Sequence, residues 1–163
     1  MDTTAGTRPE RAGVCVWLTG RRGAGRTTVG RLVAEELAER GIPHVLLDEE
    51  DPGVAVHLQR DDAGTPLPAI AWLAVLFAER GVVAIVSADA PGRQARDDVR
   101  GAVDRFVEVY VDAPPDVCAE RRGRVAAYEE PFSPELRVPT HDRSPAASAA
   151  QVTSYLERQG LLS

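Results

Sequence analysis

Residues 14–28 read VCVWLTGRRGAGRTT, and this stretch decides the fold. Val14 to Thr19 is a short, nearly continuous apolar run, the pattern of a strand buried on both faces. A glycine-rich turn follows at once. Behind it Val29, Leu32, Val33 and Leu37 recur at helical spacing until Gly41 stops the helix. Strand, glycine-rich turn and helix, in that order, are the context in which the pattern G-x-x-x-x-G-K-[ST] becomes a phosphate-binding loop. Gly20, Gly23 and Gly25 let the backbone turn tightly and approach an anion without a clashing Cβ. Their N–H groups and the helix N-terminus supply donors and a positive dipole. Gly20, Arg21, Arg22, Gly23, Ala24, Gly25, Arg26, Thr27 and Thr28 are therefore the candidate nucleotide contacts. Thr27 stands where a hydroxyl would meet Mg²⁺, and Thr28 adds a further donor.

One letter departs from the pattern: Arg26 stands in the place of the lysine. A guanidinium keeps the charge but replaces a compact ammonium with a planar fork of donors. Phosphate binding is expected to survive that change. Phosphate transfer is less forgiving, because about 1 Å of misplacement can cost about a hundredfold in rate. All nineteen basic residues are arginine, so Arg26 also reflects a bias that runs through the chain.

Outward from the loop, strands and helices alternate. His44 to Leu47 reads as a buried strand ending on Asp48, Ala69 to Gly81 as a strongly apolar helix, and Val82 to Ser87 as the next strand. Arg93 to Asp104 is a polar helix, Phe106 to Asp112 a fourth strand, and Pro114 to Gly123 a helix opened by proline. Residues 124–144 read as a loop, and Ala146 to Gly160 as a closing helix that is a candidate homodimer contact. Strands separated by helices pair in parallel with right-handed crossovers, giving an α/β fold with a doubly wound sheet. Residues 1–12 read as a flexible N-terminal tail and 13–163 as one domain.

Composition narrows the function. At 163 residues, 44% hydrophobic and 27% charged, the chain can bury a core. Its net charge of −6 argues against a general nucleic-acid surface. No apolar run approaches the roughly 20 residues that span a bilayer, and the first residues lack a signal-peptide core, so the expected location is cytoplasmic. Cys15 and Cys118 have no metal-ligand neighbours and read as reduced, buried thiols. His44, His57 and His141 show no metal spacing, and Trp17 and Trp72 read as core.

Three stretches carry a resemblance: VWLTGRRGAGRTTVGRLVAEELAERGIPHVLLDEED (16–51), VYVDAPPDVCAERR (109–122) and YEEPFSPEL (128–136). Together they resemble the adenylylsulfate (APS) kinases, which phosphorylate the 3′-hydroxyl of adenosine 5′-phosphosulfate with Mg-ATP. The resemblance runs with gaps from Val14 to about Leu162. It implies a P-loop kinase-type three-layer fold with a mostly parallel central sheet, and ATP and Mg²⁺ as cofactors. Its L-D-G-D-N falls on Leu47-Asp48-Glu49-Glu50-Asp51. That would set Asp48 near the acceptor hydroxyl and Mg²⁺, with Glu50 as a longer second acid toward the substrate. A carboxylate at the end of a parallel strand beside a phosphate loop can orient a hydroxyl or accept its proton. Asp48 and Arg26 are thus the candidate catalytic pair, and Thr27 and Asp48 the candidate metal ligands.

The acceptor half departs from the family. E-N-I-R-R falls on Thr65-Pro66-Leu67-Pro68-Ala69, where nothing grips an anion. I-S-P-x-x-x-x-R falls on Asp89 to Arg96; the serine is gone, while Arg96 and Arg100 stay in register to meet a phosphate or sulfate, or else line a solvated helix face. The lid K-A-R-A-G-x-I-x-x-F-T-G is absent, leaving Arg121 and Arg124 as arginines that could lean toward ATP. Thr140 is a candidate for the nucleotide region. Three readings follow: a kinase acting on a small-molecule hydroxyl other than APS, a nucleotide- or partner-binding pseudokinase without turnover, and an APS kinase proper.

Overall fold

The computed structural model describes residues 11–55, 67–90, 92–123 and 127–162. Most of the tail, His57, the Thr65-Pro66 pair and Arg124 lie outside them. The sheet is built from β1 (Val14–Thr19), β2 (His44–Asp48), β3 (Val83–Ser87), β4 (Phe106–Asp112) and β5 (Leu136–Pro139), in the order β2-β3-β1-β4-β5. Every pairing is parallel. The helices are α1 (Arg26–Glu39), α2 (Pro52–Ala55), α3 (Leu67–Glu79), α4 (Arg93–Ala102), α5 (Pro115–Arg122) and α6 (Pro145–Arg158).

Alternation along β1 sets the layers. Val14, Val16 and Leu18 point into a cluster with Val29, Val33 and Leu37 of α1 and Val152 and Leu156 of α6. Cys15 and Trp17 point the other way, against Ile70 and Ala74 of α3 and Val99 of α4. A strand sandwiched between two helix layers needs apolar residues at every position, which is why VCVWLT reads without alternation. Both cysteines are buried, and burial pushes the Cys15 thiol up to about 12.

Three expectations are corrected and one element is added. The loop 124–144 contains β5, a four-residue edge strand ending in proline and held to β4 by register pairs from Val109–Leu136 to Asp112–Pro139. β2 is the opposite edge, and its first three residues are only half-buried. Pro52–Ala55 forms a short helix not signalled by the sequence pattern. Trp72 is 64% exposed on α3, whereas Trp17 is fully buried.

The YEEPFSPEL segment runs beside α4 and is fastened there by arginine. Arg96, 1% exposed, donates Nε to Glu108 Oε2 at 3.0 Å, Nη1 to the Ala90 carbonyl at 2.6 Å and Nη2 to the Glu129 carbonyl at 2.5 Å. Arg100 bonds Glu135 through both nitrogens of its fork and Glu108 as well. Burial alone would push the Glu135 carboxyl up, but the hydrogen bonds from Arg100 and from the Glu108 backbone N–H prevail and hold it below its ordinary value.

Two outcomes test this fastening. Arg96→Met leaves Glu108 with a buried carboxylate short of a partner and is expected to cost about 3–5 kcal/mol in urea unfolding. Glu135→Gln is expected to cost about 1–2 kcal/mol near neutral pH. Because the folded carboxyl titrates below its unfolded value, the stability it contributes is present above the unfolded pKa and lost as pH falls through the folded one. The gap in melting temperature between wild type and Glu135→Gln should therefore close on acidification below about 4.5, the ordinary value.

Candidate functional site

The turn after β1 cannot be made by ordinary residues. Gly25 caps α1 at φ 104°, a left-handed conformation that an L side chain strains to adopt. At Gly20 the limit is space, since a Cβ there would stand 2.5 Å from the Val111 carbonyl oxygen. Two of the loop's carbonyls are tied down: Arg121 Nη1 donates to Gly23 O at 3.0 Å and Thr140 Oγ1 to Ala24 O at 2.6 Å. The first N–H groups of α1 have no partner within the helix and face the concavity that results. A cleft of about 310 Å³ opens there, lined by residues 23–29 together with Glu50, Arg121, Arg122, Thr140 and Pro145.

Acids enter from β2. Asp48, at its last position, is buried, and its Oδ1 accepts from the Glu50 N–H at 3.0 Å and from Thr27 Oγ1 at 3.4 Å. Thr27 Oγ1 also lies 3.4 Å from Glu50 Oε2. Asp48 Oδ2 is buried without a hydrogen-bond partner, one of only two such side-chain atoms among the described residues. An unpaired buried carboxylate oxygen is costly unless a ligand completes it. The donors gathered here are all hard oxygens, which suits Mg²⁺ rather than a softer metal. Among the described residues no three His, Cys, Asp or Glu converge, so the protein alone offers no full metal cage. That fits a cation held partly by phosphate oxygens.

The expected residues divide. Gly23, Ala24, Gly25, Thr27, Thr28, Glu50, Arg121 and Thr140 gather around the cleft, with Asp48 at its edge. Arg26 lines it too, but its side chain is buried and its Nη1 donates to the Ala88 carbonyl at 2.5 Å, at the end of β3. Arg21 turns instead toward the Tyr128 ring, 5.5 Å from its centroid, and toward Glu130. The Arg22 side chain is exposed and lies off the cleft. Arg96 and Arg100, expected to meet the substrate, lie away from this cleft: Arg96 bonds Glu108 and two backbone carbonyls, Arg100 bonds Glu135 and Glu108, and both line a separate cavity of about 320 Å³ with Phe132 and Ser133. The solvated-face alternative fails for Arg96 as well, since it is buried.

Two residues went unseen in the sequence. Tyr128 donates to or accepts from Thr19 Oγ1 at 2.7 Å, stacks on Tyr110 and lies beneath Arg96. Burial raises its phenol pKa, against the bond to Thr19 that lowers it. Arg122 bonds Glu50 Oε2 at 3.1 Å. The Y-E-x-P motif gave a signal for Tyr128, whereas nothing in the pattern set Arg122 apart from its arginine neighbours.

A parallel sheet ordered β2-β3-β1-β4-β5, a glycine loop opening a helix and an acid at the end of β2 together define a P-loop kinase. The Adenylylsulphate kinase family model matches residues 12–139, and the chain belongs to that family. It is 34% identical to the adenylyl-sulfate kinase of Chloroflexus aurantiacus, over 90% of this chain and 88% of that one. With the adenylyl-sulfate kinase of Rippkaea orientalis the identity is 32%, over 94% and 96%. It is also similar to the solved Mycobacterium tuberculosis APS kinase CysC in complex with AMPPNP and APS, at 28% identity and TM-score 0.79, over 90% of this chain and 99% of that one. A shikimate kinase from Acinetobacter baumannii, 18% identical at TM-score 0.55 over 91% and 96%, shares the fold. No described helix is long and apolar enough to cross a membrane.

Asp48→Asn keeps the oxygen that bonds Thr27 and removes the formal charge shared with the unpartnered Oδ2. Without nucleotide or metal, its melting temperature is expected to rise by about 2–4 °C, about 1 kcal/mol for a chain of this size. A fall would mean that Oδ2 is satisfied in solution.

Proposed function

We propose that the protein transfers the γ-phosphate of ATP to a hydroxyl of a small acceptor other than adenosine 5′-phosphosulfate. The observation that carries the transfer is the convergence of Thr27, Asp48 and Glu50 at the mouth of the phosphate loop, with one Asp48 oxygen unpartnered. The loop N–H groups and the dipole of α1 hold the phosphates. Asp48 orients the acceptor hydroxyl and takes its proton as the oxygen attacks the γ-phosphorus; the bond to the bridging oxygen breaks and ADP leaves. Thr27 and Asp48 would hold Mg²⁺, which neutralises charge on the phosphates.

The change of acceptor rests on charge. Arg96 and Arg100 stand where a sulfate or phosphate would be met, and both are neutralised by Glu108 and Glu135. A second reading, APS itself as acceptor, is favoured by the relatives named adenylyl-sulfate kinase at 32–34% identity. The test is ADP release across a panel of hydroxyl compounds that includes APS. Release with a non-sulfated alcohol, lost in Asp48→Asn by about a thousandfold while ATP affinity stays within a few-fold, is the expected result. Formation of 3′-phosphoadenosine 5′-phosphosulfate would install the second reading. ATP binding with no Asp48-dependent ADP release from any acceptor would make the protein a pseudokinase.

A further inference from the structure

Arg122 ends α5, 51% exposed, and lies across the mouth of the nucleotide cleft. Its stem packs on the loop, for its Cγ is 3.1 Å from where a Cβ on Gly23 would stand. Its head reaches the far wall, where Nη2 donates to Glu50 Oε2 at 3.1 Å. That same oxygen is the one 3.4 Å from Thr27 Oγ1. One side chain thus bridges the glycine loop and the acid beyond β2, over the ground that the phosphates of a bound nucleotide must cross.

The other arginines lining the cleft are committed elsewhere. Arg26 is buried with Nη1 on the Ala88 carbonyl. Arg121 has Nη1 on the Gly23 carbonyl, where it braces the loop itself. Either would have to give up a backbone contact that shapes the site before it could turn to a ligand. Arg122 would give up only a half-exposed ion pair, of a kind worth about 0–1 kcal/mol. A terminal phosphate offers a guanidinium more charge and a bidentate match.

We infer that Arg122 is the cation that closes over the terminal phosphates of the nucleotide, in the office the loop lysine would otherwise fill. On nucleotide entry it exchanges Glu50 for phosphate oxygens, and Glu50, released, would be free beside Thr27 to help hold a divalent cation. Arg26 is then a positioning residue that ties α1 to the end of β3. This rests on the reading of the cleft as an ATP site.

Calorimetric titration of wild type, Arg122→Ala, Arg122→Lys and Arg26→Ala with ATP and with ADP, each in Mg²⁺, tests the assignment. Arg122→Ala is expected to bind ATP about tenfold more weakly, to lose less for ADP, and to melt at the wild-type temperature. Arg122→Lys should recover part of the ATP affinity. Arg26→Ala should melt lower and keep its preference for ATP over ADP. The assignment is overturned if Arg122→Ala binds ATP as wild type does, or if its ATP and ADP affinities fall equally. Wild type that binds no ATP would instead remove the nucleotide reading of the cleft.

Discussion

The site depends on how the loop after β1 is held open. Two of its carbonyls are bonded by side chains from elsewhere in the fold, Gly23 O by Arg121 and Ala24 O by Thr140, which pins the loop backbone in place. With those carbonyls engaged, the N–H groups at the start of α1, whose residues line the cleft, remain without partners inside the helix. Thr140 follows the last residue of β5, and its own N–H bonds Asp112 O at the end of β4. A short edge strand therefore props the phosphate loop through a single hydroxyl. An anion site of this type is made chiefly by backbone, so the proposed phosphate binding does not hang on a lysine at position 26.

The acceptor side obeys a different logic. Ligand sites of open parallel sheets form at the carboxyl ends of the strands, and here Ser87 of β3, Asp48 of β2 and Thr19 of β1 mark that edge. Around it Arg96 and Arg100 are paired with Glu108 and Glu135. Arg96 holds a carboxylate and two carbonyls at once, a task for a forked guanidinium and beyond a single ammonium. The ties of Arg96 and Arg100 fix the Tyr128–Glu135 segment against α4 and β4. A fastened segment, Tyr128–Glu135, thus leads into β5.

Much of this was legible beforehand. The unbroken apolar run of β1, the glycines and the periodicity of α1 announce the loop because each serves a local requirement: burial on two faces, a left-handed turn and one apolar stripe. Asp48 was readable for the same reason, as an acid ending an apolar strand. β5 was not, because LRVP is too short and too interrupted by proline to show a period, and its pairing partner lies about 27 residues away, Val109 opposite Leu136. Nor could the fates of the arginines be read. Arg21, Arg26, Arg96, Arg100 and Arg122 are one residue type in polar surroundings, and only the tertiary fold decides which faces a glutamate, a carbonyl or the cleft. Trp72 misled in the opposite direction, since an apolar helix does not bury every apolar residue it carries.

The central claim is that this loop binds a nucleotide without a lysine. The most direct measurement is calorimetric titration of the wild-type protein with ATP, with and without Mg²⁺. The account predicts saturable binding in the micromolar range that weakens when Mg²⁺ is removed. An absence of binding at millimolar ATP would contradict it, and the glycine loop would then stand as a remnant of the fold rather than as its working site.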